Sequence, residues 1–270
     1  MKVIDAIKSR RSVRTFDGKR LSEEDLSLIS ACAVSLLNPY DIPIEWKILS
    51  AKESGLSSSV IVGTDIFIAG KMKNVPHAEE AFGYSFEKIV LYAESIGIGT
   101  TWIAGTMNRA AFERAIELGE DEVMPCVSPL GYPAKKMSVR EAVMRKGVKA
   151  DVRFDFGDLF FKESFSTPLN SAAAGELGTA LEMVRLAPSA VNKQPWRLVV
   201  DGDTVHFYEK RSKGYVKDNG WDLQKIDIGI AMCHFASTIE ESGKSVELSL
   251  NDPGIDLPTD TLYIASLNIK

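Results

Sequence analysis

Two short segments of this chain hold the residues best equipped for chemistry. The first, near the start, is Ser9-Arg10-Arg11-Ser12-Val13-Arg14-Thr15-Phe16. Three guanidinium groups and a hydroxyl packed this closely can fix a phosphate, because each guanidinium offers paired donors to the anion. The plainer alternative is a solvated basic helix end, which the helix dipole favours at a C-terminus. The second is Ala187-Pro188-Ser189-Ala190-Val191-Asn192-Lys193-Gln194-Pro195-Trp196. It offers a hydroxyl, amides and backbone donors on one loop. Its plainer reading is a helix stop at Pro188 and a structural turn, with Trp196 as ordinary core.

The elements that must position these segments follow from periodicity. Val3, Ile4, Ala6 and Ile7 form an apolar stripe at helical spacing that ends at the basic run from Lys8 to Arg11. Ser22-Glu23-Glu24-Asp25 reads as an N-cap with an acidic first turn, continued by Leu26, Ile29, Cys32 and Ala33. Trp46 and Ile48 mark a strand over 45–49. The same order returns later: Gly175-Glu176 opens a helix through Leu177, Ala180, Leu181 and Val184, the Pro188 loop follows, and then a strand over 196–200. Two further helices are read over 83–97 and 229–243; each begins and ends on glycine, and each precedes a terminal apolar strand, 126–130 and 261–267. An internal duplication explains this order, with halves 1–150 and 151–270 forming one compact composite domain. Chance resemblance between helix-loop-strand units is the alternative.

Gly97-Ile98-Gly99-Thr100-Thr101-Trp102-Ile103-Ala104-Gly105 is too short for a dinucleotide fingerprint and sits in the wrong context for a P-loop, so alone it reads as a helix C-cap. Residues 51–75 and 215–221 read as substrate-facing loops without legible chemistry. The basic stretch from Arg140 to Lys149 reads as a solvated linker.

Composition narrows the function classes. The chain has 270 residues, 45% of them hydrophobic, which suffices for a sizeable core. A net charge of −5 argues against a nucleic-acid partner, although a local basic cluster can still bind a small anion. No apolar run approaches a bilayer span, and the start carries no secretory pattern, so a cytoplasmic protein without a membrane partner is expected. Cys32, Cys126 and Cys233 are widely spaced and suggest neither a disulfide framework nor a zinc site. His77, His206 and His234 have no metal-like spacing, so no metal is expected, and His234 reads as a core histidine. A G-x-S-x-G elbow is absent.

In the order RRSxRxF then APSxxNxQPW, the two segments resemble those of the nitroreductase family. That resemblance implies an α+β nitroreductase-like fold, a central sheet packed by helices. It also implies an FMN-dependent enzyme, with Arg10 and Ser12 on the phosphate and ribityl end, Arg11 beside them, and Arg14 at the N1 and C2 carbonyl edge of the ring. Pro188, Ser189 and Asn192 would pack beside the flavin. Residues 97–105 resemble the family's GLGTCWIGG-like stretch, so Ala104 and Gly105 would present an N–H to flavin N5. Arg14, Ala104 and Gly105 are thus the expected catalytic residues. Gly131-Tyr132-Pro133-Ala134-Lys135-Lys136, followed by Arg153-Phe154-Asp155-Phe156-Gly157-Asp158-Leu159-Phe160, is similar to further family segments; it adds Arg153 to the phosphate site, with Lys149 a weaker neighbour.

Family members carry the two motifs close together and are typically homodimers with FMN at the subunit interface. Here they lie far apart, as in a dimer fused into one chain. In the first half Ser35 to Trp46 hold the place of APSxxNxQPW and keep only Asn38 and Trp46 of its character. In the second half the place of RRSxR falls near Phe165-Ser166-Thr167-Pro168-Leu169, without arginine. One composite site and a monomer are expected. The implied activity is ping-pong reduction of nitroaromatics or quinones by NAD(P)H, with orientation and electrostatics carrying the hydride step and water supplying protons. The alternatives are reductive dehalogenation or dehydrogenation, or a flavin-binding or scaffold protein without turnover.

Overall fold

A computed structural model describes residues 1–216 and 221–270. The expected loop over 215–221 therefore falls largely outside the described residues. Two compact units are present: the first comprises Met1, Ser9–Ala78 and Ser85–Ala150, the second Lys2–Lys8, Glu79–Tyr84 and Asp151–Lys270.

Along the first half run α1 (Val3–Ser9), α2 (Glu23–Ser35), β1 (Glu45–Ser50), α3 (Ala51–Ser54), β2 (Ile66–Lys73), α4 (Ala78–Ser95), α5 (Arg109–Ala115), β3 (Glu122–Val123), β4 (Val127–Leu130) and α6 (Val139–Gly147). Ser22 caps α2 by accepting the Asp25 amide, and three acids follow in the first turn. β2 is the central strand of this unit's sheet, antiparallel to β1 on one edge and to β4 and β3 on the other. The loop expected over 51–75 is thereby corrected. Residues 67–72 are all buried, so the strand lacks the alternation that a half-exposed strand shows. Lys71 is accommodated because its ammonium lies 3.4 Å from Glu45 and 3.0 Å from Glu122. Leu49, Phe67, Ala69, Ile103, Phe112 and Val127 form a core against the sheet, with Phe67 meeting Phe112 edge to face at 5.2 Å. The stretch read as a basic linker is helical: Ser138 caps α6 by accepting the Glu141 amide at 3.2 Å.

The second half contains α7 (Phe156–Leu159), β5 (Phe160–Lys162), α8 (Gly178–Arg185), β6 (Trp196–Asp201), β7 (Thr204–Lys210), α9 (Leu223–Glu241), β8 (Val246–Ser249) and β9 (Thr261–Ile269). Residues 175–177 wind as a 3₁₀ turn before α8 begins. The sheet order is β5-β6-β7-β9-β8, parallel between β5 and β6 and antiparallel elsewhere. α9 packs on it with Phe235 edge to face against Phe207 at 5.8 Å. His234 is a satisfied core histidine, its Nδ1 2.8 Å from the Met183 carbonyl. Cys126 and Cys233 are buried and Cys32 half-buried.

α4 and α9 begin before the glycines that marked them in the sequence, and packing explains why those glycines lie inside helices. Within the second unit, a Cβ on Gly83 would overlap the Ile226 carbonyl, and one on Gly229 would overlap the Glu80 carbonyl. Each glycine thus meets the residue one turn ahead of the other. The two helices also end alike. Gly97 and Ile98 donate their amides to Glu94 and Ala93, and Gly243 and Lys244 donate theirs to Glu240 and Ile239. With φ of +82° at Gly97 and +89° at Gly243, both are Schellman ends. Among the described residues no helix is long and apolar enough to cross a membrane.

Candidate functional site

In the first unit the basic segment leaves α1 as extended chain. The Val13 amide donates to the Thr100 carbonyl at 2.8 Å, and the Phe16 amide to the Val62 carbonyl at 2.8 Å. Ser12 forms a parallel bridge with Thr100. The three arginines have different fates. Arg10 is buried with its Nε 3.9 Å from Glu87, too far for a hydrogen bond, and that nitrogen has no hydrogen-bond partner. Glu87 accepts the Trp102 indole N–H at 2.9 Å. Arg11 pairs with Glu141 at 3.0 Å. Arg14 gives its backbone amide to Glu141 at 3.3 Å, and among the described residues its half-buried guanidinium makes no side-chain hydrogen bond or ion pair. Burial lowers the Arg14 pKa; Glu141 opposes that shift and Arg145 adds to it.

The turn carrying Ala104 and Gly105 is braced from beneath. Arg109 donates to the carbonyls of Ala104 at 3.0 Å, Pro125 at 3.0 Å and Met124 at 2.7 Å. Three carbonyls on one guanidinium fix the turn's path and leave Gly105 exposed, with open space where a Cβ would stand.

In the second unit Pro188 follows the end of α8 and the loop behind it is tightly held. Ser189 Oγ accepts the Gln194 amide at 2.8 Å, and the Ala190 amide donates to both oxygens of Asp227 at 3.1 Å. Asn192 donates to the Val152 carbonyl at 2.9 Å and accepts from Arg153 at 3.4 Å; Arg153 also reaches the Leu186 carbonyl at 3.2 Å. Gln194 accepts the Phe154 amide at 3.0 Å. Val191, Asn192 and Gln194 adopt φ of +43°, +59° and +48°. For the β-branched Val191 this conformation is costly, and it persists because the surrounding bonds fix it. Burial raises the Asp227 pKa well above the usual carboxylate value, with the Ala190 amide opposing.

A family model described as "Putative TM nitroreductase" matches residues 2–239. The chain belongs to this family. Membership implies oxidoreductase chemistry. A crystal structure of a putative nitroreductase from Thermotoga maritima is 21% identical with a TM-score of 0.63, covering 99% of this chain and 94% of that one; at this identity the likeness shows a shared fold, α+β with helices packing the sheets. An FMN-dependent nitroreductase from Clostridium difficile is 18% identical with a TM-score of 0.42, over 56% of this chain and 98% of its own. No curated protein matches the sequence.

In this nitroreductase-family chain the expected residues fall into two sets. Arg10, Arg11, Ser12, Arg14, Ala104 and Gly105 belong to the first unit, and Arg153, Pro188, Ser189 and Asn192 to the second. Within the second, Arg153 and Asn192 are in direct contact. Lys149, the weaker candidate, is exposed at a φ of +50° just after α6. Sequence reasoning missed Glu141, Arg109 and Asp227. Only Glu141 carried a local signal, the S-x-x-E pattern of a capping box at Ser138. Among the described residues no group of three or more His, Cys, Asp or Glu side chains could hold a metal ion.

Proposed function

We propose that this chain is an FMN-dependent oxidoreductase that reduces small electron-poor acceptors, nitroaromatics or quinones, with NAD(P)H in a ping-pong cycle. Family membership supports the reading, and the observation that carries it is the half-buried Arg14 guanidinium, which makes no side-chain hydrogen bond or ion pair among the described residues. Such a group is costly to desolvate unless an anionic or carbonyl-rich ligand meets it. FMN suits the donor set, having a phosphate at one end and a carbonyl-lined ring edge at the other. Arg10, Ser12 and Arg153 serve the phosphate and ribityl end in this reading, with Arg11 beside them and paired with Glu141. Ser189 and Asn192 offer polar groups beside the ring, with Pro188 shaping the loop, and the Ala104-Gly105 turn directs an N–H toward N5. When bound, FMN supplies a site that accepts and returns hydride. The positive charge of Arg14 favours the reduced form, and the braced turn limits reorganisation.

We also propose one FMN per monomeric chain, descended from a duplicated half. The reciprocal contacts of Gly83 and Gly229 and the matched ends of α4 and α9 support that origin. A second reading, flavin binding without turnover, draws on Arg10 and Arg11, whose nearest carboxylates are Glu87 and Glu141 of the chain itself. The absorbance spectrum of the purified protein, followed by NADH and NADPH oxidation with a nitroaromatic and quinone panel, separates the readings. Flavin bands with acceptor-dependent oxidation support the enzyme. Bands without turnover support the second reading, and a colourless protein that takes up no added FMN refutes both.

A further inference from the structure

Glu141 is 1% exposed, and its carboxylate makes three hydrogen bonds to the basic segment. In Ser138-Val139-Arg140-Glu141 the glutamate of an ordinary capping box would turn back onto the Ser138 amide. Here that amide donates instead to Thr15 Oγ1 at 3.0 Å, and the Thr15 hydroxyl donates to Glu141 Oε2 at 2.7 Å. Thr15 thus closes the box and releases the carboxylate toward its neighbours. Glu141 Oε1 accepts from Arg11 Nη1 at 3.0 Å, and Oε2 accepts from the Arg14 amide at 3.3 Å. One buried carboxylate therefore fixes three successive points of the segment: a side chain, a backbone amide and a hydroxyl.

We propose that Glu141 is the positioning residue of the basic segment: by engaging Arg11, the Arg14 amide and Thr15 together, it leaves Arg14 rather than Arg11 as the guanidinium that meets an anionic ligand. The identity of that ligand as FMN rests on the reading above. The charge balance agrees, since Arg11 already has a carboxylate at hydrogen-bonding distance while Arg14 has none among the described residues. Arg145, one turn beyond Glu141 on α6, adds a second positive charge that acts on Arg14.

The test compares wild type with Glu141→Ala, Glu141→Gln and Thr15→Val by two measurements. Phenylglyoxal labelling of the flavin-free protein, read by peptide mass spectrometry, reports which arginine is unpaired. FMN titration by fluorescence quenching reports affinity. In wild type, Arg14 should label about fivefold faster than Arg11, because pairing with a carboxylate protects a guanidinium. Glu141→Ala should speed Arg11 labelling about fivefold and weaken FMN binding about tenfold. Glu141→Gln keeps an acceptor for the Arg14 amide and the Thr15 hydroxyl, so it should release Arg11 yet hold FMN within about threefold of wild type. If Glu141→Ala does not fold, Thr15→Val carries the affinity arm: Arg11 stays protected and FMN binds about threefold more weakly. Arg11 labelling that does not change between wild type and Glu141→Gln overturns the proposal, as does FMN affinity unaltered in every variant. If wild type takes up no FMN, the functional reading falls, and the labelling pattern still decides the role of Glu141.

Discussion

Residues 36–44 join α2 to β1, and residues 186–195 join α8 to β6; each loop carries an asparagine, and the two asparagines are spent differently. Asn38 turns back on its own loop: it donates to the Ile42 carbonyl at 2.7 Å and accepts from the Tyr40 and Ile42 amides at 3.2 and 3.3 Å. Asn192 reaches out of its loop to Val152 and Arg153. The strands behind the loops differ as well. Trp46 pairs with Gly70 across β1 and β2, whereas Trp196 pairs with Glu209 across β6 and β7. Glu209 is buried near Asp222, and Asp227 holds the Ala190 amide. The first loop closes the hydrogen bonds of Asn38 locally and stacks Tyr40 on His77 at 5.3 Å. The second holds three residues at positive φ, Val191, Asn192 and Gln194, against Asp41 in the first, and its bonds run to neighbours outside the loop.

The largest effects should fall where the halves are alike. Gly83→Ala and Gly229→Ala each drive a methyl group into a carbonyl, so each should cost about 3 kcal/mol or prevent folding. Denaturant unfolding of the two variants checks this, and a large loss at one glycine with none at the other would break the reciprocity. Next come the asparagines. Asn38→Ala strips acceptors from two amides and should cost about 2 kcal/mol of stability while leaving FMN affinity unchanged. Asn192→Ala should cost less in stability and weaken FMN binding about tenfold. Melting curves paired with FMN titrations read both, and equal affinity losses would place ligand at both loops.

The smallest effect concerns pH. Burial, with Asp222 beside it, pushes the Glu209 carboxyl up to about 8, with Arg211 opposing. A carboxyl whose folded pKa is raised favours the folded state at low pH, and that contribution is lost as pH climbs from the ordinary glutamate value toward 8. Glu209→Gln should therefore raise Tm more at pH 9 than at pH 5. A gain that is equal at both values would mean that Glu209 does not titrate in this range.

Much of this architecture was legible in the sequence, and the gaps have physical causes. Ser22 with its acidic turn marked α2, and the contiguous motifs marked the candidate residues, because both signals lie within a few neighbouring positions. β2 was hidden because it is buried on both faces. β7 was obscured by His206 and Glu209, polar residues in buried strand positions. α6 was disguised by basic residues, although its capping-box pattern stood in the open. Glu141, Arg109 and Asp227 act on groups that only the folded chain brings near them, so no local pattern could assign their roles. The same is true of Arg10 and Arg11, since which carboxylate an arginine meets is settled by packing.

The central claim is that this asymmetric chain carries one flavin site. Titration of FMN into the flavin-free protein, with light scattering to give the molar mass of the complex, tests it directly. The account predicts a monomer near the 29.6 kDa of the sequence with an equivalence point at one FMN per chain. Two FMN per chain would contradict the asymmetry between the loops, and no binding would contradict the flavin reading itself.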